Sequence, residues 1–254
     1  LSELVRVVQR DYPELNMAEV RITLIEALAQ VLPTFPEKLG LNALAELKRR
    51  AVHVRLNTRV VQAMPSSVQL HDGTETPART IIWTAGVKPS KLVSSLGLPV
   101  GRSGRIEVDD MLRVKGHDAI YAIGDIASVM QDGSEVPMLA TPAIQEARHA
   151  AHNIVRDLQG SSPLRFRYKD LGSMATIGRN AAVARLGPWA ISGVLGWLLW
   201  LFVHLYFLIG FRNRLVVLIG WAWDYVRFDR PVRLIARAAK EDGGGEGSAD
   251  LNER

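Results

Sequence analysis

The 254 residues contain no cysteine. That absence excludes disulfides, thiolate zinc sites, iron–sulfur clusters and any redox step through a protein thiol. It fits a reducing, cytoplasmic compartment. No G-x-G-x-x-G turn occurs, so a phosphate-cradling glycine loop of a dinucleotide fold does not lie within these residues. No G-x-S-x-G elbow occurs either, which leaves hydrolase chemistry without support. No basic stretch interleaved with aromatics resembles an RNA-binding motif, and nucleic acid is not expected as a partner. There is no signal-peptide pattern and no internal repeat. The first residue is Leu1, in the middle of a helical pattern (Leu4, Val5, Val8), so the chain reads as a piece of a longer protein.

Hydrophobic residues make up 48% of the chain and charged residues 22%, enough for a sizeable core in one or two domains. The net charge is +5. Part of the excess, Arg212, Arg214, Arg227, Arg230, Arg233 and Arg237, sits beside a long apolar run and suits anionic lipid headgroups. Patterning predicts a helix ending near Tyr12, a strand over Val20–Ile25, a helix over Pro36–Arg50 and a strand over Val52–Leu56. Further strands are predicted at Val60–Ala63, Ser67–Leu70, Arg79–Trp83, Ile106–Asp109 and Ala119–Ile123. Of these, Thr80–Trp83 and Ala119–Ile123 read as buried. A Gly/Ser-rich loop runs from Val87 to Arg105. Thr141 as N-cap and Pro142 as first helical residue open a long helix whose apolar face is Ala143, Ile144, Ala147, Ala151 and Ile154. Short strands return between Ser161 and Ala184. Lys240–Arg254 is a polar, flexible tail.

Two features carry chemistry. Glu26 ends a strand, and an acid at the tip of the second strand of a dinucleotide fold binds ribose hydroxyls and repels a 2′-phosphate, favouring NAD over NADP. A surface glutamate after a strand is the other reading. Ile120–Ser128 (IYAIGDIAS) places Gly124 and Asp125 after an apolar strand, at the sheet edge where ligands bind in such folds. His149 and His152 lie three apart on the predicted helix. Nothing nearby completes a metal site, so none is expected and both read as exposed helix residues.

In order along the chain come TIIWTAGVKPS, AIYAIGDIAS, ATPAIQEARHAAHNI, FRYKDLGSMATIGRNAAVA and WLLWLFVHLYFLIGFRNRLVVLIGWAWDYVRFDRPVRLI. This series resembles type II NADH dehydrogenase, the single-subunit flavoprotein NADH:quinone oxidoreductase, from residue 1 to about Arg237. The resemblance implies an α/β fold of two dinucleotide-binding domains (Rossmann-like, binding FAD and NAD(P)), N-terminally truncated, with C-terminal membrane-associated helices. It implies the remainder of an NADH-binding domain over 1–90, the C-terminal part of an FAD domain over 91–186, anchoring helices over 187–239 and the tail over 240–254. FAD and NADH are the implied cofactors and a membrane quinone the implied acceptor.

Carried onto these residues, the resemblance puts Gly124 and Asp125 on FAD and the turn Thr84, Ala85, Gly86 near the nucleotides. It puts Ala140, Thr141, Pro142, Ala143, Ile144, Gln145 and Glu146 beside the isoalloxazine, with Gln145 and Glu146 as the catalytic candidates. Thr141 and Glu146 stand where the family carries glutamines. Many family members carry a lysine where this chain has Leu171, so either that polar partner is missing here or Lys169 stands in for it. Disulfide reductases and sulfide:quinone reductases share this architecture but need cysteines, so both are excluded. Another electron acceptor, or an inactive membrane-bound fragment, are the alternatives, and the fragment alone is expected to be inactive. Proton pumping is not expected, because no chain of ionisable residues crosses a membrane.

Trp189–Phe211 is long enough to span a bilayer as one helix. Three glycines and a central His204 argue against a span, and the amphipathic, Trp-bearing segment after it argues for an anchor lying in one leaflet. The expected location is the cytoplasmic face of the cell membrane, peripheral or monotopic, with residues 189–237 on the bilayer. A homodimer interface is a further use open to the same stretch.

Overall fold

In the computed structural model, residues 1–14, 16, 19–207 and 211–227 are described. The tail from Lys240 and the arginines at 230, 233 and 237 lie outside them. In chain order the first elements are α1 (Ser2–Asp11), β1 (Ile22–Ile25), α2 (Glu37–Arg49), β2 (Val52–Arg55), β3 (Val60–Met64), β4 (Ser67–Leu70), β5 (Glu75–Pro77) and α3 (Leu92–Ser95). They are followed by β6 (Ile106–Glu107), β7 (Ala127–Ser128), β8 (Met130–Gln131), β9 (Ser134–Glu135), α4 (Ala140–Leu158), β10 (Ser173–Gly178), β11 (Ala181–Leu186), β12 (Trp189–Ser192), α5 (Gly193–Phe207) and α6 (Phe211–Arg227). They form two units, residues 1–81 with those from 172 on, and residues 82–171.

The first unit is built on a β–α–β crossover. β1 and β2 pair in parallel, Ile22 opposite Val52 through Ile25 opposite Arg55. Parallel neighbours require a long connection, and α2 supplies it. Leu39 and Ala43, four apart on α2, turn to one side and are buried. They pack with Val31, Phe35, Leu24 and Val54, and with Ala175, Ile177 and Val183 of the antiparallel β10–β11 hairpin. Arg50 ties the same parts together by charge. Its guanidinium donates to Glu46 Oε1 at 2.7 Å, to Glu3 Oε1 at 2.6 Å and to the Arg179 carbonyl at 2.6 Å. β3, β4 and β5 form a separate antiparallel meander whose second turn is His71–Thr74.

β12 pairs with β11 and hands the chain to α5, so the expected helix from Trp189 starts only at Gly193. Fifteen helical residues reach about 22 Å, short of the roughly 30 Å of bilayer hydrocarbon. Among the described residues, no helix is long and apolar enough to cross a membrane. α5 docks through Gly196, where a Cβ would meet the Ala182 carbonyl oxygen at 2.7 Å. α6 lies against α5 through aromatic rings, Trp197 to Tyr225 at 5.9 Å and Trp200 to Trp221 at 6.1 Å. The Arg179 guanidinium sits 4.2 Å over the Tyr225 ring and donates to its carbonyl. His204 is not left as a bare polar group. Its Nδ1–H donates to the Trp200 carbonyl at 2.8 Å and its ring stacks on Trp200 at 3.9 Å.

The second unit encloses Val93, Ile106, Val108, Leu112, Val114, Ala122, Ala127, Val129, Val136 and Ala150. Thr80–Trp83 and Ala119–Ile123 form no strand, against expectation. Ile82 and Trp83 are 56% and 57% exposed, and Tyr121 makes only a single bridge to Arg113. A strand needs a ladder partner along its edge, and no described strand pairs with either segment. The third strand of the meander is Glu75–Pro77, not Arg79–Trp83.

Candidate functional site

α4 sets the site, and it differs from its predicted form at both its start and its face. Leu139 is extended at φ −136° and is the N-cap, so Thr141 lies inside the first turn and caps nothing. Pro142 is the third helical residue. The first turn needs no intrahelical donor, so the helix extends back past the proline to Ala140. The buried stripe is Pro142, Glu146, Ala150 and Asn153, while Ile144 and Ile154 are exposed. Two polar residues therefore occupy a core face at helical spacing.

Both are satisfied. Asn153, fully buried, donates to the Leu164 carbonyl at 2.9 Å and to the Met111 carbonyl at 3.3 Å, and accepts the Leu164 N–H at 2.9 Å. Glu146 is 1% exposed, and its Oε2 accepts the Gly124 N–H at 2.6 Å. Burial pushes the Glu146 carboxyl above its ordinary range. The Gly124 N–H and the charge of Arg105 pull it back, and the charge of Asp125 adds to the rise.

Gly124 begins a single 3-10 turn, Gly124–Ile126, at φ 70°, a conformation that favours glycine. A Cβ there would sit 3.6 Å from the Ala143 Cβ, so the turn rests directly on the second turn of α4. Asp125 is exposed at the tip of that turn. The helix start beside it has no side-chain cap, which leaves the N–H groups of Ala140 and Thr141 without an intrahelical partner. An acceptor carboxylate next to backbone donors at a helix N-terminus matches a ligand with both hydroxyl and anionic oxygens.

Gln145, one residue before Glu146, faces elsewhere. Its Nε2 donates to the Lys169 carbonyl at 2.9 Å and its Oε1 accepts the Lys169 N–H at 3.0 Å. Gln131 does the same to Tyr168, at 3.2 and 2.8 Å. With Asn153 on Leu164, three side-chain amides serve residues 164–169 in place of a neighbouring strand. The Lys169 side chain is exposed. His149 reaches the Leu164 carbonyl through Nε2 at 2.8 Å and packs edge-on to Phe166 at 5.4 Å, so it is an anchored residue, unlike His152. Among the described residues no cluster is arranged to hold a metal.

Thr84, Ala85 and Gly86 form an exposed segment, with Gly86 at φ 84°, and no hydrogen bond joins them to Gly124, Asp125 or α4. Glu26 belongs to the other unit. It follows β1 directly, is half-buried, and its Oε1 accepts the Leu28 N–H at 2.9 Å.

Arg105 was not legible in the sequence. It closes the Gly/Ser-rich loop, yet it is 3% exposed. Its Nη1 donates to the Val136 carbonyl at 3.0 Å and approaches Glu135 at 3.5 Å, while Nε has no partner among the described residues. Glu135 also takes the hydroxyls of Ser128 and Ser103, chiefly the former, which hold its carboxyl below the usual range. Asn153 left a trace only in its spacing from Pro142 and Glu146, a helical period in which two of the three residues are polar.

The chain matches the model of the pyridine nucleotide-disulphide oxidoreductase family over residues 14–147 and that of the NDH2 C-terminal domain over residues 171–227. It is 34% identical over 226 residues to type II NADH:quinone oxidoreductase Ndh of Mycobacterium tuberculosis, covering 85% of this chain and 48% of that one. It is also 34% identical over 177 residues to type II NADH:quinone oxidoreductase of Haemophilus influenzae, covering 69% and 40%. The fold is like that of NDH2 from Plasmodium falciparum, solved in complex with NADH, with a TM-score of 0.79 at 18% identity over 88% of this chain and 62% of that one. The chain spans about half the length of the curated relatives it matches. It belongs to the pyridine nucleotide-disulphide oxidoreductase family, and its C-terminal part matches the NDH2 C-terminal domain.

Proposed function

We propose that the protein carrying this chain oxidises NADH and reduces a membrane quinone, using FAD and pumping no protons. One observation carries the reading: the Gly124–Asp125 turn, with its exposed carboxylate, seated on the uncapped start of α4. FAD, when bound, supplies a two-electron carrier between NADH and quinone. The overall change is NADH, a proton and quinone to NAD⁺ and quinol.

The chain's own residues bind, orient and shield. Asp125 accepts hydroxyl hydrogens of the FAD chain, and the N–H groups at the start of α4 favour negative charge beside them. Thr84, Ala85 and Gly86 line the nucleotides. Glu26 keeps one carboxylate oxygen on Leu28 and offers the other to the NADH ribose, and its charge disfavours a 2′-phosphate. Thr141, Pro142 and Ala143 form the wall of the flavin site, with Lys169 next to it, and Gln145 and Glu146 stand behind that wall on the backbone of Lys169 and Gly124. Residues 1–90 serve NADH and residues 91–186 serve FAD.

α5 and α6 hold the site at a bilayer. Leu195, Leu198 and Phe202 of α5 and Val216, Ile219 and Trp223 of α6 are exposed, and Arg212 supplies positive charge beside them. Such a surface suits the headgroup boundary of one leaflet, on the cytoplasmic face. The same surface serves a second copy if the protein dimerises.

The test is purification of the whole protein. It is expected to carry flavin absorbance and to oxidise NADH only when quinone is added. A colourless protein that FAD does not reconstitute overturns the reading.

A further inference from the structure

Residues 145 and 146 are adjacent on α4, so their side chains leave the helix about 100° apart and meet different neighbours. Glu146 meets the Gly124 N–H at 2.6 Å. Gln145 meets both backbone groups of Lys169, at 2.9 and 3.0 Å. Both ends of the Gln145 amide are engaged on Lys169, and burial closes Glu146 to a substrate. A carboxylate buried to 1% is costly unless something requires it there. Here the cost is offset by a backbone donor and by Arg105, itself 3% exposed. The acceptor oxygen is what the Gly124–Asp125 turn needs, because a backbone N–H at that sharp turn has no ladder partner.

We propose that Glu146 and Gln145 are positioning residues. Glu146 fixes the Gly124–Asp125 turn by accepting the Gly124 N–H, and Gln145 fixes the backbone at Lys169. This rests on the reading that Asp125 faces bound FAD. Glu146 then acts on the flavin only through the placement of Asp125, and it touches neither NADH nor quinone.

The chemistry makes a sharp distinction between two substitutions. In E146Q the amide oxygen still accepts the Gly124 N–H, whereas in E146A that donor is left unsatisfied. The experiment measures FAD affinity of the whole protein by flavin fluorescence, and exchange of the Gly124 amide with deuterium. E146A is expected to weaken FAD binding about tenfold or more, the loss of roughly one charge-assisted hydrogen bond. It is also expected to lose protection at Gly124. E146Q is expected to restore both to within about threefold of the parent. A thermal melt checks that E146A is folded, and if it is not, E146Q and the more space-filling E146L replace it as the informative pair.

Unchanged Gly124 protection in E146A or E146L overturns the proposal. So does unchanged FAD affinity with lost quinone turnover, because that pattern assigns Glu146 a direct contact with substrate. A parent protein that binds no FAD overturns the functional reading instead. The exchange measurement then still decides whether Glu146 holds the turn.

Discussion

Glu146 shows how a single buried charge couples structure to pH. Its carboxyl titrates above the ordinary glutamate value of about 4.3 because burial disfavours the charged form. At low pH the group is neutral in both folded and unfolded chains and imposes no penalty. As pH rises past the ordinary value, the unfolded chain releases the proton while the folded chain keeps it, so stability falls until the folded group ionises too. E146Q removes that slope and keeps the acceptor for Gly124. It is expected to melt higher than the parent at pH 7, with the two curves converging on acidification. Equal melting temperatures at every pH count against a buried, titrating Glu146. Asn153 is the neutral counterpart. N153A removes the partner of the Leu164 N–H and one of the two donors to the Leu164 carbonyl, His149 keeping the other, so the loss is expected to be about 1–3 kcal/mol in urea unfolding.

At the scale of elements, the informative contact is α5 on β11. Gly196 is the buried residue of α5, and a Cβ there runs into the Ala182 carbonyl at 2.7 Å. A carbonyl within a paired strand does not yield, so G196A is expected to cost about 1–3 kcal/mol and lower the melting temperature. G220A on α6, where a Cβ meets nothing within 4 Å, is the control and is expected to be neutral or slightly stabilising. Helix α4 teaches a related lesson. An apolar stripe of Ala143, Ile144, Ala147, Ala151 and Ile154 is visible in the sequence, yet the helix buries the neighbouring stripe. Its partners there are backbone groups of Gly124 and Leu164, which reward a carboxylate and an amide more than an alanine.

At the scale of the whole molecule, the proposal of a bilayer surface predicts binding to vesicles of anionic phospholipid, weakened by salt. The double variant F202D/I219D replaces two exposed apolar side chains, each worth about 1.5–3 kcal/mol when buried. It is expected to lower vesicle binding at least about tenfold in flotation, with quinone-independent flavin content unchanged. Retained binding removes α5 and α6 as the anchor.

Much was determined by the sequence alone. The short strand-like runs Val60–Ala63 and Ser67–Leu70, the helical pattern in Pro36–Arg50 and the acid after Ile25 each depend on neighbours a few residues away, and the fold has strands, helix and acid at those positions. The ordered motifs carried the family in the same way. The tertiary structure decided the rest. It set which stripe of α4 is buried, that Trp189–Ser192 is a strand before α5, that Arg105 is interior, and that Gln145 and Glu146 spend their polar atoms on backbone. Each of these depends on groups distant in sequence: Glu146 on a donor 22 residues away, Gln145 on a backbone 24 residues away, β12 on its pairing with β11. Local periodicity reports which residues share a face. It does not report what the opposing surface offers, and a polar side chain is buried wherever that surface presents an unmet hydrogen bond.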